Sequence, residues 1–141
     1  MNKQMDEYIQ KFNKFPNAES MPPAGVYIAE FFAIRPSGQR WHDHEHTKYF
    51  YFRFEYKGRP CVIGFLSILN PAQSPLLLNL YRILFRQEPP AGMLAEEIFI
   101  PHFGKAVQVQ IPKEHKKSKS TGEWYLRAVG IYKNESRTVL T

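Results

Sequence analysis

Three histidines alternate with two acids in His42-Asp43-His44-Glu45-His46, a dense run of metal-ligating residue types. In an extended conformation the imidazoles of His42, His44 and His46 point to one side and the carboxylates to the other, and three imidazoles can hold zinc with an open fourth position. Same-side residues of a strand stand ~6–7 Å apart while zinc–nitrogen bonds measure ~2.0–2.1 Å, so all three could share one ion only across a sharp fold in the loop. The run also lacks the helical His-Glu-x-x-His spacing of metallopeptidases. A metal-dependent hydrolase centred on these residues stands as one alternative. Without a metal, the same imidazoles gain charge near neutral pH and favour a neighbouring phosphate.

A second chemistry surrounds them. Arg40, Trp41 and Lys48 flank the histidines, and Lys113, Lys116, Lys117 and Lys119 crowd a later polar stretch with the single acid Glu114 between them. Between these stretches Tyr49, Tyr51 and Arg53 alternate along an aromatic segment. Lysine and arginine displace condensed counterions from phosphates, while unpaired bases stack on exposed rings for ~1–3 kcal/mol each. A duplex could use the charges but not the rings. Taken singly, the lysines read as a solvated hairpin tip and the tyrosines as decoration of a sheet. Trp41, among polar neighbours, either packs back or stacks on a ligand, whereas Trp124 reads as core.

Catalytic signatures are missing from the sequence. It holds no Gly-x-x-x-x-Gly-Lys-Ser/Thr loop, no Gly-x-Ser-x-Gly elbow and no Gly-x-Gly-x-x-Gly fingerprint. The single cysteine, Cys61, excludes an internal disulfide framework and sits in an apolar segment where a thiol is inert. A non-catalytic protein without a cofactor is the expectation.

The elements that position these residues belong to one domain. Length, 141 residues, suits a single core, and 43% apolar with 23% charged residues is ordinary globular composition. Nineteen Lys and Arg against thirteen Asp and Glu leave +6, a balance that favours polyanionic partners. The uncharged stretch from Cys61 to Tyr81 is broken by Asn70-Pro71-Ala72-Gln73-Ser74-Pro75, so no membrane span is expected, and residues 1–15 lack a secretory core, which makes the cytoplasm the default address.

Met5, Tyr8, Ile9 and Phe12 draw a helical stripe ending before Pro16, a surface that meets either the core or a second copy of the chain. Residues 1–24 read as this helix and a linker, 25–133 as the folded body, and 134–141 as a tail. Val26–Arg35, Tyr49–Tyr56 and Arg59–Ile68 predict an antiparallel meander, with Phe50, Phe52, Phe54 and Tyr56 inward and Lys57-Gly58 as a hairpin turn. Ser74-Pro75 starts a helix carrying Leu77, Leu80, Tyr81 and Leu84, which Pro89-Pro90 is expected to stop. Glu97–Pro101 reads as a loop or short irregular strand, Lys105–Ile111 as strand four, Pro112–Glu123 as a lysine-rich loop and Trp124–Tyr132 as strand five.

Five strands with a helix between the third and fourth predict a mainly β protein, a five-stranded Greek-key barrel of the oligonucleotide/oligosaccharide-binding (OB) type, with an added N-terminal helix. A split sheet crossed by the helix is the alternative. From Gly25-Val26-Tyr27 through the aromatic second strand and the Leu-rich helix to Phe103-Gly104-Lys105, the layout resembles the small OB-fold single-stranded-DNA-binding proteins that accompany replication and recombination genes in bacteriophages and plasmids. That resemblance implies coating of exposed single strands, DNA in preference to RNA, beside a replication or recombination protein. In such a barrel the ligand crosses strands two and three between the loops joining strands one to two and four to five. The ending Asn134 to Thr141 departs from the acidic tail of the cellular bacterial type, which leaves the N-terminal helix as the contact surface for partners or for a homo-oligomer. A protein-interaction module within a larger assembly is the other alternative.

Overall fold

The computed structural model describes residues 3–37 and 46–134. It opens with α1 (Lys3–Asn13), which runs into β1 (Lys14–Phe15). The stripe of Met5, Tyr8, Ile9 and Phe12 packs on Phe32, Ala33 and Val62, so it meets this chain's own sheet. Arg35 forks onto Asp6 at 2.7 and 3.0 Å. Arg59 donates to the carbonyls of Lys11 and Lys14, its guanidinium 4.1 Å above the Phe15 ring. Both contacts hold the helix down. Phe15 and Met21, from the segment read as helix and linker, lie in the main core with the sheet.

β2 (Gly25–Pro36), β3 (Thr47–Tyr56) and β4 (Arg59–Ile68) form the antiparallel meander that alternation predicts. Lys57 and Gly58 turn β3 into β4 with φ of 54° and 79°, the left-handed pair a two-residue hairpin requires. Phe50 and Phe52 are fully buried against Ile63 and Phe65. One irregularity escaped the pattern. A bulge between Phe31 and Ala33 lets Phe31 and Ile34 enter the main core while Phe32 and Ala33 both turn toward α1.

α2 (Pro75–Phe85) begins as expected, with the Ser74 hydroxyl accepting from the Leu77 N–H and proline in the first turn, and it buries Leu77, Leu80, Tyr81 and Leu84. It ends before Pro89-Pro90, at Arg86, whose left-handed backbone (φ 57°) returns a hydrogen bond to the Arg82 carbonyl. Glu96–His102, expected as a loop or strand, is a 3₁₀ helix that sends Phe99 into the core. β5 (Ala106–Ile111) then pairs with β2 on the side away from β3. Three consecutive neighbours with a fourth strand beside the first make a Greek key.

The lysine-rich loop contains β6 (Lys116–Lys117), a hairpin partner of β7 (Trp124–Tyr125), and β1 pairs with the other side of β7. A small sheet, β1-β7-β6, results. β8 (Gly130–Lys133) pairs with β5 and completes a five-stranded antiparallel sheet ordered β4-β3-β2-β5-β8. The expected fifth strand is therefore two strands in two sheets, split at residues 126–129.

The protein is mainly β, but the five-stranded sheet does not close into the expected barrel: β4 and β8 do not pair. Gly64 and Arg127 make one parallel bridge across the seam, with the Ala128 N–H donating to the Gly64 carbonyl at 2.9 Å. Beside it the Asn13 carboxamide donates to the carbonyls of both Val62 (2.9 Å) and Leu126 (3.0 Å), and the Leu126 N–H returns to the Asn13 carbonyl. The N-terminal segment thus takes hydrogen-bonding positions that a continuous strand would need. Among the described residues no helix is long and apolar enough to cross a membrane.

Candidate nucleic-acid interface

A groove of about 820 Å³ runs along this seam, between the outer face of β3–β4 and the β6–β7 hairpin. On the sheet side the rings of Tyr49 and Tyr51 stack with centroids 5.5 Å apart and planes 16° apart. Strand alternation puts both on one face, and Gly64, register partner of Tyr51, allows the ring to lie down on β4. A Cβ at Gly64 would stand 2.6 Å from Tyr51 Cδ1, closer than packing allows. Burial pushes the Tyr51 hydroxyl far above its ordinary pKa, with the Tyr49 hydroxyl and Asp6 adding to the rise and Arg35 opposing it. Tyr49 is raised too, by burial first and by nearby Tyr125 second. Both rings therefore stay neutral across physiological pH.

The opposite side is cationic. Lys14, Lys116, Lys117, Lys119 and Arg127 line the groove, and no carboxylate does so among the described residues. Lys14, Tyr125 and Lys116 are neighbours in register across the small sheet. Lys117 leans over the Trp124 ring, 5.8 Å from its centroid. Arg127 donates from Nη2 to the Glu114 carbonyl at 3.3 Å, and its Nε is buried without a partner. Like charges held this close raise the local concentration of any anion.

Of the residues singled out from sequence, the groove gathers Tyr49, Tyr51, Lys116, Lys117 and Lys119. Arg53 is committed elsewhere: its guanidinium forks onto Glu30 at 3.2 and 3.3 Å and covers the Phe32 ring at 4.7 Å. Lys48 pairs with Glu96 at 3.3 Å, its side chain only 14% exposed. Lys113 is exposed but does not line the groove. Arg40, Trp41, His42 and His44 lie outside the described residues. His46 lies within them, its carbonyl accepting from the Leu69 N–H, and the described residues hold no cluster of three or more metal-ligating side chains. Trp124 packs on the core as expected, and Cys61 is fully buried, a burial that pushes its thiol pKa up.

Lys14, Tyr125 and Arg127 were not picked out from the sequence. The last two had a readable signal, because they alternate with apolar Leu126 and Ala128 in the stretch that reads as strand five. Lys14 had none, since its place depends on a pairing more than a hundred residues away in sequence. Comparison with protein-family models, curated proteins and solved structures returned no match.

Proposed function

We propose that the chain binds single-stranded nucleic acid, DNA in preference to RNA, without catalysing a reaction on it. The observation that carries this reading is one groove with stacked tyrosines on one side and, on the other, five cations with no carboxylate among the described lining residues. Tyr51 and Tyr49 already form a two-ring column, which an unpaired base extends at the half-exposed Tyr49 end. Phosphates of the same strand lie against Lys14, Lys116, Lys117, Lys119 and Arg127.

The finer fold reading goes with it. A Greek key of five antiparallel strands, with one parallel bridge from outer strand β4 to Arg127 in the segment that leads into β8, is compatible with a partly open OB barrel. The groove then occupies the surface over strands two and three where that barrel takes its ligand. A replication or recombination context follows from the same resemblance.

Fluorescence titration with oligo-dT, oligo-U and a duplex at two salt concentrations tests the proposal. Log affinity for oligo-dT should fall with log salt by ~0.7 per phosphate neutralised. Replacing Lys116, Lys117 and Lys119 together by alanine should lower that slope by up to about 2. Equal affinity for duplex and single strands, or a salt-independent constant, overturns the reading.

A further inference from the structure

A guanidinium carries five N–H donors and keeps its charge, so a protein that tucks one beneath its surface ordinarily answers it with a carboxylate. Among the described residues Arg127 has no such answer. Its Nη2 gives one hydrogen bond, to the Glu114 carbonyl, while Nε is shut off from solvent with no acceptor in reach. The ion pairs among the described residues engage Arg35, Lys48, Arg53 and Arg82 instead. Burying a charged donor unmet is costly, and such a group calls for an explanation in what the site binds.

The surroundings indicate the missing acceptor. Arg127 lies two residues beyond Tyr125, whose register neighbours are Lys14 and Lys116, and the groove they share is free of described carboxylates. A planar fork of N–H donors flanked by ammonium groups matches a tetrahedral oxyanion better than a planar or neutral ligand. The bond to Glu114 also holds the guanidinium in place before anything binds.

We propose that Arg127 anchors a phosphate-binding subsite in the groove, taking phosphate oxygens on the Nη N–H groups that Glu114 leaves free, with Lys116 as the second charge. This goes beyond strand binding, because a backbone phosphate and the phosphate of a small molecule offer the same oxygens. The Asn13-braced seam fixes the subsite, which is therefore present before any base stacks on Tyr49.

The test uses the intact chain and inorganic phosphate. In ¹H–¹⁵N spectra the Arg127 Nε–Hε signal should shift as phosphate is added and stay in place with chloride at matched ionic strength. Arg127→Gln should weaken phosphate binding about tenfold or more, with Arg127→Lys between it and the parent. Oligo-dT lacking a terminal phosphate is then added as competitor. Displacement of phosphate assigns the subsite to a strand backbone. Phosphate binding that depends on Arg127 but is untouched by oligo-dT supports the subsite, sinks the strand-binding reading and assigns a small phosphorylated ligand. An Nε–Hε signal that responds to phosphate no more than to chloride overturns the subsite even if Arg127→Gln fails to fold, as does a folded Arg127→Gln with parental phosphate affinity.

Discussion

Tyr51 lies flat over Gly64, its partner in register on the neighbouring strand, so closely that a methyl group on Gly64 would sit 2.6 Å from Cδ1 and 3.0 Å from the Phe50 carbonyl oxygen. The glycine is what lets the tyrosine column lie down beside the seam. It also supplies the carbonyl that Ala128 bonds, so stack and seam share one residue.

Gly64→Ala should therefore act twice. Forcing a methyl against a ring and a backbone oxygen costs roughly 1–3 kcal/mol of overpacking, readable as a lower urea midpoint. The lifted Tyr51 ring should also weaken oligo-dT binding, whereas Tyr51→Phe, which keeps the ring, should leave binding nearly intact. An unchanged midpoint for Gly64→Ala would show that the ring gives way freely and that the close approach carries no energy.

Alkaline pH should expose the buried hydroxyls. In the unfolded chain tyrosine ionises at its ordinary value of 10.0, while in the fold Tyr51 and Tyr49 are both raised, chiefly by burial. A group with a raised folded pKa contributes stability that is complete below pH 10 and is lost as pH climbs from there toward the folded value. Urea unfolding followed from pH 9 to 11 should show stability falling through the upper half of that range. Tyr51→Phe should flatten the fall, and a slope identical to that of the parent would place the responsible groups elsewhere.

Local chemistry made the meander, the Lys57-Gly58 hairpin and the Ser74 cap legible in the sequence, because each is decided by residues a few positions apart. The bulge at Phe31–Ala33 was not legible: it exists because Phe32 and Ala33 both find partners on α1, a contact between distant segments. Trp124 to Tyr132 alternates well enough to look like one strand, yet Leu126 bonds Asn13 and Ala128 bonds Gly64, and these long-range acceptors pull it off the sheet. The site followed the same rule. Tyr49, Tyr51 and the lysines stand out by type, but the ion pairs that remove Arg53 and Lys48 come from Glu30 and Glu96 on other elements.

Asn13 is the residue on which the seam should prove most sensitive. Its carboxamide satisfies the carbonyls of Val62 and Leu126 together, so Asn13→Ala leaves two acceptors unmet at a cost of about 1–3 kcal/mol. Asn13→Asp should be worse at neutral pH, since a carboxylate can only accept and would face two carbonyl oxygens. Amide hydrogen exchange at Leu126 and Ala128 should quicken in both variants while β3 stays protected. Protection at Leu126 unchanged in Asn13→Ala would mean that the bridge is incidental.

Lys14 and Lys57 separate groove electrostatics from net charge. Each carries one of the charges behind the +6 total, but Lys14 lines the groove beside Tyr125, whereas Lys57 sits at the β3–β4 turn over the Tyr56 ring and does not line it. Removing either lysine lowers the overall charge equally, so a merely basic protein attracting a polyanion would lose affinity equally in both variants. A strand threading the groove would not: Lys14→Ala should lower the salt slope of oligo-dT binding by ~0.7, and Lys57→Ala should leave it unchanged. Both variants can be titrated under the same two salt conditions as the parent. Equal slopes for the two would show that the strand follows diffuse charge rather than the seam.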